Sequence, residues 1–254
     1  MHGIRLNCGL LLSLLLFGCV AAGPQPNTPK KQANVHYQMG VSDLQANNPT
    51  MALKEFLLAV KEDPENSSIQ AALAQAYQLK KAYPEAEQHY LKALEYSHDD
   101  PSFQNNLGAL YLDMQQWDKA IEYFDKAAAN LLFLSPQVAL TGKGYAYFRK
   151  HDLQTAISCY KQALSMAPNY APAYYRLSEV YHEQDNPLLE QQALERSLEI
   201  APQYVQAHYQ LGVLLLKQQK TEEATQHFKK ILELAPNSEL ALKAADLLRS
   251  LPKS

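Results

Sequence analysis

Two short segments of the sequence contain residue types that could support catalysis. His182-Glu183 resembles the start of a zinc-binding pair, but such a site on one helix face needs a second His four residues after the first, and Asn186 stands there. The segment 141–144, TGKG, has the Gly and Lys of a phosphate-binding loop but lacks the upstream Gly. The chain has no G-x-S-x-G segment, and its eight His are scattered. The sequence therefore predicts no catalytic, metal or cofactor site, and we do not expect an enzyme.

The amino-terminal residues predict export and lipid modification. Residues 1–18 join a short basic start to an apolar run, shorter than the roughly 20 residues of a membrane-spanning helix, which is typical of a cleaved signal peptide. The segment LFGC, which ends at Cys19, resembles the lipobox of bacterial lipoproteins, although Phe17 departs from the usual small or β-branched residue. The resemblance implies that Cys19 carries lipid. The alternative is a plain signal peptide cut near Ala21 or Ala22.

The expected mature chain begins with a tether. Residues 19–32 are Pro-rich and show no apolar periodicity, so we interpret them as a lipidated linker. Cys8 leaves with the signal peptide, and Cys159 lies in an apolar helical stripe, where a small buried residue is expected. Val20 follows the lipidated Cys at a position where inner-membrane lipoproteins often carry Asp. The resemblance thus implies the outer membrane, with the protein facing the periplasm.

The charge balance argues against nucleic acid as a partner. The chain has 23 basic and 26 acidic side chains, which leaves a formal net charge of −3. Binding to phosphates normally needs clustered Lys and Arg. We therefore expect no nucleic-acid partner.

The rest of the sequence is periodic. Pro168, Pro202 and Pro236 are 34 residues apart, and Pro64 precedes the first of them by 104 residues. Ala recurs in the same register at Ala52, Ala86, Ala120, Ala156 and Ala224. A two-residue insertion at 135–136 accounts for the deviations from 34. The register predicts six units, at residues 33–66, 67–100, 101–134, 137–170, 171–204 and 205–238.

This pattern resembles the tetratricopeptide repeat, in which Leu-Gly and Tyr are followed by Ala, Phe and Pro at fixed spacing. In unit three the matching residues are Leu107, Gly108, Tyr111, Ala120 and Phe124, and in unit six they are Leu211, Gly212, Ala224, Phe228 and Pro236. The resemblance implies an all-α fold, a right-handed superhelical solenoid of six tetratricopeptide repeats over residues 33–250. Residues 239–250 form an amphipathic stripe and are expected to be the capping helix.

Local signals add detail to this fold. Small residues, among them Gly142 and Gly144, are expected where helices pack closely. Asp100 and Ser135 each precede a Pro and are expected to cap the helices that follow. In unit five Ser178 replaces the usual Gly, Glu190 the usual Ala and Leu194 the usual Phe, so we expect the two helices of that unit to be slightly splayed.

The first helix of each unit lines the concave wall of such a solenoid. The wall positions of the repeat include ten apolar or aromatic residues, which are Tyr37, Val41, Leu44, Leu112, Tyr145, Phe148, Tyr175, Tyr209, Val213 and Leu216. Tyr offers a large contact area with a polar tip, so this wall suits an extended or helical segment of a protein partner. It lacks the Lys and Asn set with which chaperone-binding relatives hold a peptide carboxylate.

An exported lipoprotein made of six such units resembles the type IV pilus biogenesis and stability lipoproteins of the PilF/PilW family. The resemblance implies a pilotin, which escorts secretin subunits of the pilus to the outer membrane and promotes their assembly there. Other pilus assembly proteins are further possible partners. The alternative is a general envelope scaffold that organises peptidoglycan enzymes or an outer-membrane assembly machine.

Overall fold

The computed structural model describes residues 28–251, which contain thirteen α-helices and no strand. The helices are α1 (Pro29–Gln45), α2 (Pro49–Glu62), α3 (Ser67–Leu79), α4 (Tyr83–Ser97), α5 (Pro101–Asp113), α6 (Trp117–Ala129), α7 (Pro136–Arg149), α8 (Leu153–Met166), α9 (Ala171–Glu183), α10 (Pro187–Ile200), α11 (Val205–Lys217), α12 (Thr221–Leu234) and α13 (Glu239–Ser250). One consecutive pair falls in each predicted unit, apart from the first residues of α1 and α7, and α13 follows the sixth unit. The predicted all-α solenoid is confirmed.

The amino-terminal predictions lie mostly outside the described part of the chain. The predicted signal peptide at 1–18, the lipidation of Cys19 and most of the tether fall there. The structure differs from the predicted tether at its end, because α1 begins at Pro29, four residues before the expected start of unit one. The Thr28 side chain accepts a hydrogen bond from the backbone N–H of Lys31, and Pro occupies the first helical position, where its missing N–H costs nothing.

Small residues let the two helices of a unit approach each other. A Cβ added at Gly144 would lie 2.5 Å from Cε1 of Tyr160, and one added at Gly108 would lie 2.9 Å from Phe124. Gly142 has no room for a Cβ either, since the ring of Phe124 from the preceding unit contacts it. The predicted close packing at these glycines is confirmed, both within a unit and between neighbours.

Unit five corrects one expectation. Ser178 and Leu194, which replace Gly and Phe, are both fully buried, so the helices of this unit are not splayed. By the register of the repeat, the larger residue on α9 is opposite the smaller one on α10, so the two changes compensate in volume. The Ser178 hydroxyl donates to the carbonyl oxygen of Tyr175 at 2.6 Å, which satisfies its polar atom within the core.

Of the two predicted helix caps, one forms its capping hydrogen bond and the other does not. The Asp100 side chain accepts a hydrogen bond from the N–H of Ser102 at 2.7 Å, as predicted. Ser135 precedes α7 but its side chain forms no capping hydrogen bond, so the prediction was wrong for that residue. Pro136 still begins the helix, since its fixed φ suits the first turn.

At the carboxyl end, α13 covers the core of unit six. Ala241 and Ala244 are buried there, and Leu240, Leu247 and Leu248 pack against the same cluster. Across residues 28–251, none of the helices combines the length and apolarity that a bilayer span requires.

Candidate protein-binding groove

The ten predicted groove residues all lie on the first helices of their units, and all of them are half-buried. Nine of them line three pockets, which follow one another along these helices. The N-terminal pocket contains Tyr37, Val41 and Leu44, the central pocket contains Leu112 and Tyr145, and the C-terminal pocket contains Phe148, Tyr175, Tyr209 and Val213. Leu216 lines none of these pockets and packs against the core of α11–α13. Together the three pockets define the groove.

The N-terminal pocket has a volume of about 490 Å³ and an apolar floor. It lies between α1, α3 and α5, where Tyr37, Val41 and Leu44 face Ala72 and Phe103. The residues from α1 also pack against the core beneath them. Backbone and side chains around the floor are therefore held in place, and the pocket exists without a partner.

The central pocket, about 470 Å³, combines aromatic rings with guanidinium groups. The guanidinium of Arg176 lies 4.2 Å from the ring centroid of Tyr145, and that of Arg149 lies 4.7 Å from Trp117. Arg149 also donates to the Tyr145 hydroxyl at 3.1 Å. Cations gain energy from the faces of aromatic rings, most strongly where water is excluded. The middle of the groove thus offers charged as well as apolar contacts.

Arg176 stays charged in this setting. Burial lowers the pKa of its guanidinium, but Glu179, to which it donates a 2.7 Å hydrogen bond, outweighs this and raises the pKa above its ordinary value. Arg149 has no acidic partner within 4 Å among residues 28–251. The charge of Arg149 is therefore not neutralised by a carboxylate, and the group has further N–H donors for an acceptor on a partner.

The C-terminal pocket, about 410 Å³, has an aromatic wall and an acidic edge. Phe148 and Tyr175 lie on the wall. Glu190 is buried at the edge, where it accepts hydrogen bonds from His182 and Gln210. Burial raises the pKa of the Tyr175 hydroxyl, so it remains a neutral donor at ordinary pH.

Cys159 and His182, which were considered as candidates for chemistry, are held in packing and hydrogen-bonding roles. Cys159 is buried, and burial raises the pKa of its thiol, so it is held in the unreactive protonated form. His182 pairs with Glu190 instead of a second His. In the part of the chain that the structure describes, no three His, Cys, Asp or Glu side chains come together as a metal site would require.

Family models of a helix-pair repeat match the same region of the chain in which the helix pairs lie. Models described as tetratricopeptide repeat match residues 99–169, 141–203 and 205–238, and one described as TPR repeat matches residues 79–115. The chain belongs to the tetratricopeptide-repeat proteins. Members of this repeat class form scaffolds for protein interaction, which agrees with a groove of three open pockets.

Several relatives share this repeat fold. The type IV pilus assembly protein PilF of Pseudomonas aeruginosa is 22% identical over 186 residues, which cover 71% of this chain and 74% of the relative. The solved structure of that PilF matches with a TM-score of 0.67 and 16% identity, over 88% of this chain and 99% of that one. The structure of PilW, described as a widely conserved type IV pilus biogenesis factor, gives a TM-score of 0.70 and 19% identity over 84% and 98%.

A eukaryotic relative matches a shorter region. The Hsp70-Hsp90 organizing protein of Triticum aestivum is 35% identical over 122 residues, or 44% of this tetratricopeptide-repeat chain. The match spans only 20% of that relative, about a fifth of its length. This likeness reflects the shared repeat and covers a minor part of the larger protein.

The repeat also carries part-buried polar pairs, which the apolar pattern of the sequence did not predict. In three units a residue near the start of the first helix contacts one nineteen positions later on the second helix. The pairs are His36 with Glu55 at 2.7 Å, Gln70 with His89 at 2.6 Å, and His208 with His227 at 2.8 Å. The first residue of each pair stands where the tetratricopeptide repeat usually has Trp. The constant spacing of nineteen was the signal that could have revealed them.

Proposed function

We propose that this chain is an outer-membrane lipoprotein that acts as a pilotin in type IV pilus biogenesis. Its groove binds secretin subunits and promotes their localisation and assembly in the outer membrane. Lipid on Cys19 holds the protein at the membrane, with the repeats facing the periplasm. The proposal rests on the groove and on the similarity to PilF and PilW.

The observation that carries the proposal is the row of preformed pockets on the first helices. Aromatic and aliphatic side chains at half-burial offer contact area at a small entropic cost, because packing already fixes their rotamers. A partner segment that lies along α1 to α11 can place successive side chains into the three pockets. This geometry suits an extended or helical protein segment better than a small molecule.

Within the groove we assign secretin contact to the N-terminal pocket. Unit one is the unit nearest to Cys19 in the chain, so a partner at the membrane meets it first. Val41 lies between Tyr37 and Leu44 on the same helix face and lines the pocket. A carboxylate at this position would have to be desolvated when an apolar segment binds, which is costly.

The test is the substitution Val41→Glu with Val35→Glu as its control. Val35 lies on the same helix, is 50% exposed and lines none of the three pockets. We expect Val41→Glu to abolish secretin multimers on a non-boiled gel, while Val35→Glu leaves them unchanged. Circular dichroism should show both variants folded. Normal multimers with folded Val41→Glu would contradict the proposal and favour a general envelope scaffold.

A further inference from the structure

The connections between units follow one pattern, with two neighbouring exceptions. Where the second helix of one unit leads into the next helix, the turn contains Pro64, Pro168, Pro202 or Pro236 at one register position. The connection at 98–100, between units two and three, lacks that Pro. The connection at 130–135, between units three and four, lacks it too and carries the two-residue insertion.

The backbone of the first exception also departs from the repeat. Six non-Gly residues with positive φ occur once in each turn between the first and second helix of a unit. His98 and Asp99, with φ of 54° and 65°, are two more, and they lie outside that register. Consecutive left-handed residues turn the chain sharply and present the Asp99 side chain at the surface.

The second exception is an ordered loop that presents aliphatic side chains to solvent. Leu131, Leu132 and Leu134 are 99%, 84% and 95% exposed. The loop is held from within, since Asn130 accepts hydrogen bonds from the N–H groups of Leu132 at 2.9 Å and Phe133 at 3.1 Å. The Phe133 ring packs against the core. The backbone of the loop is therefore held in place, and it presents the three Leu side chains to solvent.

The two exceptions form one site. Together they line a pocket of about 590 Å³, whose wall contains Leu132 and Leu134 on one side and Asp99 and Asp100 on the other. None of its lining residues lines the three groove pockets. It lies at the edge of the stack where second helices end, and we name it the edge pocket.

We propose that the edge pocket is a second docking site, for a protein segment that carries aliphatic side chains next to Lys or Arg. Asp99 and Asp100 form no ion pair with Lys or Arg within the described residues. The exposed Asp99 carboxylate is open to a partner, and the Asp100 carboxylate adds negative charge while it caps α5. The same two carboxylates oppose docking on an anionic lipid surface, which attracts basic segments. The exposed Leu side chains supply apolar area that a partner would remove from water. This site is independent of the groove and of the function proposed for it.

The experiment uses the full chain and two short fluorescein-labelled peptides, one of Leu and Lys and one of Leu and Glu. Fluorescence polarisation should show binding of the Leu-Lys peptide and about tenfold weaker binding of the Leu-Glu peptide. The variant L131S/L132S/L134S should lose the binding. The control L188S/L242S, which changes Leu residues exposed on helices elsewhere, should keep it.

A second variant tests the charge without disturbing the backbone. Asn tolerates positive φ and also caps helices, so D99N/D100N keeps the turn and the start of α5 while it removes both charges. We expect this variant to bind the two peptides equally. Equal affinity of the wild-type chain for both peptides, or unchanged binding by the triple Ser variant, would overturn the proposal. Binding to neutral phosphatidylcholine vesicles that requires the three Leu would also overturn the proposal. Self-association of the chain in sedimentation velocity that requires the three Leu would do the same.

Discussion

Two tyrosines at the same repeat position make a matched test of hydrogen bonding in the core. Tyr90 in unit two and Tyr160 in unit four both occupy the place that Phe holds in units one, three and six. Their side chains are 2% and 0% exposed. The Tyr90 hydroxyl donates to Oε1 of Gln78 at 3.3 Å, whereas the Tyr160 hydroxyl has no hydrogen-bond partner among residues 28–251.

The expected effects of replacement by Phe have opposite signs. A buried hydroxyl without a hydrogen bond costs about 1–3 kcal/mol, so Tyr160→Phe should raise the free energy of unfolding by that amount. A made hydrogen bond contributes about 0.5–1.5 kcal/mol net, so Tyr90→Phe should lower the free energy of unfolding by a similar amount. Burial raises the pKa of both hydroxyls, which keeps them neutral and leaves hydrogen bonding as the difference between them.

Urea unfolding followed by circular dichroism measures both effects. Tyr96→Phe serves as the control, because Tyr96 is 38% exposed and its hydroxyl can remain hydrated. We expect a change near zero for the control, a higher midpoint for Tyr160→Phe and a lower midpoint for Tyr90→Phe. If Tyr160→Phe destabilises the chain, the hydroxyl is satisfied in solution and the reasoning fails.

Three further predictions concern acid stability, the anchor and the groove. Burial and the neighbouring His208 lower the pKa of His227 below its ordinary value of 6.5, so the folded chain takes up a proton less readily than the unfolded chain. The free energy of unfolding should therefore fall as the pH drops below 6.5, and Tm should fall with it. His227→Gln should make this decrease in Tm smaller, and an unchanged pH dependence of Tm in the variant would contradict the prediction. Cys19→Ser should release the protein from membranes, and continued outer-membrane fractionation would refute the lipid anchor. A secretin segment that enters the central pocket should change the emission of Trp117, and Arg149→Ala should weaken its binding; a titration without either effect would exclude contact there.

The periodic sequence predicts contacts that stay within a unit. Gly108 and Phe124 keep the same separation as their equivalents in other units, and helices of constant length convert that separation into one contact. The half-burial of the groove residues follows from the same register. The polar pairs nineteen residues apart belong to this class as well, because their constant spacing follows from the same register.

The angle at which units stack and the geometry of an insertion could not be predicted in this way. The contact of Arg176 with the Tyr145 ring connects units five and four. It depends on the angle between the two units, and the residue types do not determine that angle. The loop at 130–135 interrupts the register, so its geometry follows from Asn130 and Phe133 alone. The helical start at Pro29 was hidden because a Pro-rich stretch also suits an extended tether.

Unit five matches the repeat pattern least well, and its departure from the pattern affects the groove. In unit six the groove residue Tyr209 packs on the core ring of Phe228, with ring centroids 6.2 Å apart, and the corresponding pair in unit one lies at 6.0 Å. Unit five has Leu194 in place of the core ring, and there Tyr175 lies 5.1 Å from Tyr204, at the connection to unit six. Because Tyr175 packs on that connection, it helps to wall the C-terminal pocket together with Tyr209. The replacement of the core ring by Leu194 thus goes with a different packing partner for Tyr175, which lies in the connection to unit six and not on the second helix of unit five.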